Sequence, residues 1–129
     1  MRQPVHFATG FDGTHIAWAL AGQGPSLRRA PTRLPHVEYD WDSPVSRQGI
    51  TEFTRRHTLL RLDPRGVGLS DWDVGELSFD ALVKDVEAVV DAAGLQRSAM
   101  VGHSLGAAVA IAYAARHPER VERLFLWGA

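Results

Sequence analysis

The segment Gly102-His103-Ser104-Leu105-Gly106 decides how this chain is interpreted. A short run of strand length, Ser98-Ala99-Met100-Val101, comes before it, and an apolar, alanine-rich run of helix length, 105–117, begins within it. A Gly-x-Ser-x-Gly segment between a strand and a helix is typical of a nucleophile elbow, a tight turn that holds a serine hydroxyl at the tip of a sheet. Larger side chains at the two glycine positions would collide across such a turn. The pattern therefore predicts that Ser104 is a nucleophile.

The alternative is an ordinary buried helix with Ser104 as its N-cap, a position that serine often occupies. This alternative accounts for the serine but not for the glycines at positions 102 and 106. The first helical turn also directs free N–H groups and the positive end of the helix dipole towards the serine. His103 adjoins the nucleophile, but adjacent side chains diverge on a tight turn, so we interpret it as a packing residue.

The residues after Ser104 do not supply a general base. Only 25 residues follow it; they contain no aspartate, and their one histidine is His117. That histidine lies 13 residues further on, which is about 20 Å along a helix at about 1.5 Å per residue. We therefore expect that His117 cannot activate the serine and that the rest of a catalytic machinery is missing from residues 1–129.

Composition restricts the class of protein. A chain of 129 residues with 45% hydrophobic and 22% charged residues is typical of one globular domain. A net charge of −1 gives no reason to expect a nucleic acid or an anionic membrane as partner. The absence of cysteine excludes disulfides and thiolate metal sites. We find neither a signal peptide nor a membrane-spanning run, and we predict a cytoplasmic protein without cofactor or bound metal.

Strands alternate with helices along the chain, and this order predicts an α/β fold. Six strands are predicted, the first two forming a hairpin around Asp12-Gly13: 5–8, 15–21, 26–30, 58–62, 98–101 and 124–127. The third contains Arg28 and Arg29, which suit a buried strand poorly. Helices are expected over 46–56, over the apolar repeat between Ser78 and Gly94, and after the elbow. The predicted fold class is a mostly parallel sheet of about six strands with helices on both faces.

The elbow, together with Asp63-Pro64-Arg65-Gly66-Val67-Gly68-Leu69-Ser70 about forty residues earlier, resembles the α/β-hydrolase family. The resemblance covers the whole chain but only the N-terminal half of the family's domain. It implies a partial domain over 1–129 that ends at the sixth strand, with the catalytic acid and histidine in a missing C-terminal part. The segments 36–45 and 69–72 resemble a subgroup whose domain occurs alone or fused to bacterial signalling modules.

The resemblance also implies roles for particular residues. Ser104 matches the nucleophile, and the backbone N–H of Leu105 matches one half of the oxyanion hole. The other half comes from the loop after the third strand, where Pro31 has no N–H to donate, so the N–H of Arg33 is the predicted second donor. Asp63 and Arg65 match a turn that shapes the floor of the site.

We therefore expect the N-terminal portion of a serine hydrolase that takes a small-molecule acyl substrate, an ester or a related compound, and that is inactive alone. The alternatives are a ligand-sensing domain of a signalling or transcription-regulatory protein and a truncated product without activity.

The segment 66–71 begins like a dinucleotide-binding loop but has Asp71 in place of the third glycine, which argues against a dinucleotide site. Five acidic residues could crowd together as a cation site, but we favour the interpretation that they lie on solvent-exposed loops: Glu38, Asp40, Asp42, Asp71 and Asp73. The uncharged sixth strand predicts self-association through its edge.

Overall fold

The first two strands form the predicted hairpin. In the computed structural model, which describes residues 3–31 and 35–128, β1 (His6–Thr9) pairs antiparallel with β2 (His15–Gly22). The turn between them is closed by a hydrogen bond from the Gly10 N–H to the Thr14 carbonyl, 2.7 Å from nitrogen to oxygen. Gly13 has a φ of 85°, a left-handed conformation that glycine adopts without strain. The Asp-Gly turn signal therefore identifies this hairpin correctly.

A single sheet contains all six strands in the order β1-β2-β4-β3-β5-β6. The remaining strands are β3 (Ser26–Arg29), β4 (Thr58–Leu62), β5 (Ser98–His103) and β6 (Val121–Trp127). β2 runs antiparallel to β4, whereas β3 is parallel to both β4 and β5, and β5 is parallel to β6. The predicted fold class is confirmed. The C-terminal ends of β3, β4, β5 and β6 meet at one edge of the sheet, where ligands bind in open α/β sheets.

Three helices cover the two faces of this sheet: α1 (Pro44–Arg56), α2 (Phe79–Ala93) and α3 (Leu105–Arg116). Ile50 of α1 is buried against one face, and Val86 of α2 and Val109 of α3 are buried against the other. The Ser78 hydroxyl caps α2 by accepting the N–H of Ala81, and Gly94 ends the helix with a φ of 68°. In the described part of the chain, no helix combines the length and the apolar character needed to cross a membrane.

The element boundaries differ from the predicted ones by a few residues. Helix α1 begins at Pro44 rather than at position 46, because Ser43 caps it and proline is well suited to a first helical turn. Strand β6 begins at Val121 rather than at position 124. Two short 3₁₀ turns, Tyr39–Trp41 and Pro118–Arg120, lie between the predicted elements.

Arg28 shows how a charged residue is accommodated inside a central strand. Its side chain is buried, donates to the hydroxyl of Tyr113 at 3.2 Å, and also donates to the backbone carbonyl of Gln96. The guanidinium lies 5.9 Å from the centre of the Tyr113 ring. These contacts offset part of the cost of burying the charge. β3 is therefore a strand despite its two arginines.

Candidate active site

Ser104 lies at the junction between β5 and α3, at the edge of the sheet where the parallel strands end. Its φ of 57° and ψ of −123° make it the only residue other than glycine with a positive φ in the described ranges. Such a conformation costs about 1–3 kcal/mol and persists only where the surrounding structure imposes it. Ser104 is exposed to solvent. The strained turn predicted for the elbow is therefore present, and it presents the serine to solvent.

The two glycines allow the elbow to pack closely. A Cβ atom on Gly102 would lie only 2.6 Å from the carbonyl oxygen of Gly106 and 2.8 Å from the Cα of Ala107. A Cβ atom on Gly106 would lie 3.0 Å from the carbonyl oxygen of Pro31. Gly102 thus lets the strand approach the start of α3, and Gly106 lets α3 approach the loop after β3. The collision expected from the sequence is present at Gly102.

The first turn of α3 carries the predicted oxyanion donor. Leu105 is the first residue of this helix, and the first N–H groups of a helix have no acceptor within the helix. The loop after β3 lies against this turn, since a Cβ atom on Gly106 would lie 3.0 Å from the Pro31 carbonyl oxygen and 3.1 Å from the Ala30 carbonyl oxygen. Arg33, the predicted second donor, lies outside the described residues. Both donor assignments stay predictions.

Neither histidine near or on α3 is placed as a base for the serine. The His103 ring stacks on the Trp127 ring with 5.3 Å between centroids, and the Ser104 N–H donates to the Trp127 carbonyl at 3.2 Å. His117 caps the far end of α3 and contacts the Glu87 carboxylate at 2.5 Å. Within the described ranges, no side chain forms a hydrogen bond with the Ser104 hydroxyl.

Asp63 anchors the loop that follows β4. Its carboxylate is buried and accepts the backbone N–H groups of Val37 and Leu69, each at 3.0 Å. Burial raises the pKa of Asp63, while these two donors favour its charged form. A Cβ atom on Gly68 would collide with this carboxylate, which explains a glycine there with a φ of 58°. The contacts fit the structural role that the resemblance implied.

Arg65 connects its own loop to two other segments, through a fully buried ion pair with Asp85 and a partly exposed one with Asp12. Its guanidinium donates to Asp85 of α2 through two nitrogens, each 2.9 Å from a carboxylate oxygen. It also contacts Asp12 in the first hairpin turn at 2.8 Å and holds the pKa of Asp12 well below its usual range. Sequence reasoning did not identify Asp85 as a partner. A carboxylate among the apolar positions of α2, beside Val86, was the available signal.

The acidic residues weighed as a cation site do not converge. Asp40 contacts Arg61 at 3.4 Å, and Asp71 contacts the His15 ring at 3.0 Å. In residues 3–31 and 35–128 there is no group of three or more histidine, aspartate or glutamate side chains arranged to hold a metal ion.

Comparison with known proteins identifies similar folds and sequences. The family model of the alpha/beta hydrolase fold matches residues 35–129. A 2-hydroxymuconate semialdehyde hydrolase of Pseudomonas putida is 38% identical over 90 residues, 67% of this chain and 32% of the relative. Epoxide hydrolase 4 of Mus musculus is 27% identical over 117 residues, 88% of this chain and 31% of the relative.

A solved structure extends the comparison to three dimensions. The crystal structure of a hydrolase from Pseudomonas aeruginosa PA01 superposes with a TM-score of 0.80 at 31% identity, covering 95% of this chain and 44% of that one. The chain thus spans about three tenths of the length of these two curated relatives and less than half of the solved chain.

Proposed function

This chain belongs to the alpha/beta hydrolase fold family, and we propose from that premise that Ser104 is the nucleophile of a serine hydrolase. The observation that carries the proposal is the backbone of Ser104, a non-glycine residue held at a φ of 57° with its side chain exposed. Strain of this kind clusters at functional sites. Both curated relatives are hydrolases, which supports hydrolysis as the reaction class, although they act on different substrates, an epoxide and 2-hydroxymuconate semialdehyde.

The arrangement suits attack on the carbonyl carbon of an ester or a related acyl compound. The Ser104 hydroxyl forms the new C–O bond while a histidine base takes its proton, and the carbonyl oxygen becomes an oxyanion. The Leu105 N–H and the N-terminal end of α3 stabilise that negative charge. The leaving alcohol takes the proton from the histidine, and water then releases the acyl group as a carboxylic acid. In the described residues this base is not placed, so it has to come from elsewhere.

A fluorophosphonate probe, which forms a covalent adduct with an activated serine, tests the proposal. We expect slow labelling and near-background hydrolysis of p-nitrophenyl acetate by residues 1–129 alone, because a serine without a base is a poor nucleophile. Fusion to the C-terminal segment of the Pseudomonas putida relative, which supplies the remaining part of that protein, should restore labelling. The adduct should map to Ser104 and disappear in Ser104→Ala.

The matched control is Ser98→Ala, which removes a hydroxyl from the opposite end of β5 and should leave labelling unchanged. An adduct on Ser98 or on Ser70 would contradict the assignment of the nucleophile. A folded fusion protein without any adduct would favour the ligand-sensing alternative over catalysis.

A further inference from the structure

Arg29 is a cation beside the elbow that the proposed chemistry does not use. It is the last residue of β3 and is opposite Val101 of β5 in the parallel register. Because opposite residues share a face of the sheet, its side chain lies on the side covered by α1, unlike that of Arg28. Arg29 is half-buried. A charged group at this depth normally has a partner.

Within the described part of the chain, no side chain forms a salt bridge or a hydrogen bond with the Arg29 guanidinium. The neighbouring arginines do form such contacts: Arg61 pairs with Asp40, and Arg28 donates to Tyr113. Asp40 is the carboxylate that attracts it electrostatically, and that carboxylate already accepts from Arg61 at 3.4 Å and from the His36 N–H at 3.2 Å. Burial lowers the pKa of Arg29, in keeping with a cation whose desolvation is not compensated. The guanidinium therefore retains unused donors.

A cavity of about 230 Å³ lies between α1 and the strands β5 and β6, and Arg29 is one of its lining residues. Its walls are largely apolar and include Ile50, Phe53, Val101 and Trp127. Arg29 is the charged residue among them, and Ser46 adds a hydroxyl. The cavity adjoins the elbow, because its lining includes His103, the residue before the nucleophile, and the ring of Trp127 stacks on His103.

We propose that this cavity binds a small amphipathic carboxylate, with the anionic group on Arg29 and the apolar body against Phe53 and Trp127. A guanidinium presents two parallel N–H donors that match the two oxygens of a carboxylate. The Ser46 hydroxyl is a further donor on the same wall. The inference rests on the proposed function only in taking this carboxylate to be a second acidic group on the acyl portion of the substrate, separate from the carbonyl that Ser104 attacks; the binding site itself does not require turnover.

The test compares 4-phenylbutyrate with its neutral analogue 4-phenylbutyramide, using the full chain with Ser104→Ala so that no acyl chemistry interferes. Calorimetry measures the two affinities, and NMR shifts of the Trp127 indole N–H locate the ligand. We expect the carboxylate to bind at least ten-fold more tightly than the amide. Arg29→Gln should abolish that preference while leaving the amide affinity unchanged, and Arg29→Lys should retain part of it.

Arg47→Gln is the matched control, because it removes the same charge from an exposed position of α1 outside the cavity and should preserve the preference. Equal affinities for the two probes, or a preference that survives Arg29→Gln, would overturn the proposal. The outcome is independent of the labelling experiment. A carboxylate preference without Ser104 labelling would support this binding site and contradict the catalytic proposal. Labelling of Ser104 without the preference would support the catalytic proposal and contradict this binding site.

Discussion

Replacing Gly102 by alanine tests the geometry of the elbow directly. The new Cβ would lie 2.6 Å from the Gly106 carbonyl oxygen, so the start of α3 has to retreat by roughly 0.8 Å to reach ordinary contact at 3.4 Å. Overpacking of this kind costs about 1–3 kcal/mol of folding free energy. The obstacle is backbone rather than the end of a flexible side chain, so we expect Gly102→Ala to lower the free energy of unfolding within that range.

Gly49→Ala is the matched control: it makes the same chemical change at a position where the structure predicts a rise, rather than a fall, in the free energy of unfolding. Gly49 lies in the interior of α1, and a Cβ there would meet no atom within 4 Å. Alanine in a helix interior is favoured over glycine by about 0.5–1 kcal/mol. Urea and thermal unfolding of the two variants should therefore differ by about 1.5–4 kcal/mol in unfolding free energy.

The elbow variant should also affect reactivity in the fusion protein. A displacement of about 1 Å at a reacting group reduces rates by about 100-fold, so labelling of Ser104 should slow strongly in Gly102→Ala but not in Gly49→Ala. If Gly102→Ala were as stable as Gly49→Ala and labelled at the original rate, the tight approach between β5 and α3 would not be a requirement of this site.

Three further predictions follow from the buried charges and from β6. Arg65→Met should lower the unfolding free energy in urea by about 3–5 kcal/mol because Asp85 remains buried without its partner, and adding Asp85→Leu should recover most of the loss; equal losses in both variants would contradict this. In a carboxyl ¹³C titration, the pKa of Asp63 should lie above the ordinary aspartate value of about 3.9 and the pKa of Asp12 below it. As the pH falls, protonation of Asp63 should therefore first stabilise the fold, and protonation of Asp12 should destabilise it at lower pH by removing its ion pair. A single shared midpoint would refute both directions. Sedimentation should detect self-association through β6, whose residues 125–127 are 38% to 52% exposed, and Leu126→Lys should reduce it; an unchanged monomer in both proteins would exclude that edge.

The local elements were predictable because their signals lie within a few residues. The run Thr58–Leu62 has the strand boundaries that its apolar pattern predicts. Helix α2 is enclosed by Ser78 and Gly94, whose capping roles follow from hydroxyl geometry and from the freedom of glycine at positive φ. The Gly-x-Ser-x-Gly spacing predicts the strained turn at Ser104, since only that conformation explains both glycines.

The sequence by itself determined the strands, the helices and the position of the elbow, because backbone sterics and hydrophobic periodicity act between near neighbours. Only the tertiary structure decided the partners of the charged residues. Arg28 and Arg29 are adjacent, but successive side chains of a strand lie on opposite faces of the sheet. Arg28 therefore contacts Tyr113, 85 residues away, whereas Arg29 lines the cavity beside α1. Asp85 faces Arg65 because α2 packs across the sheet. Such contacts depend on how distant elements meet, and no local pattern encodes that.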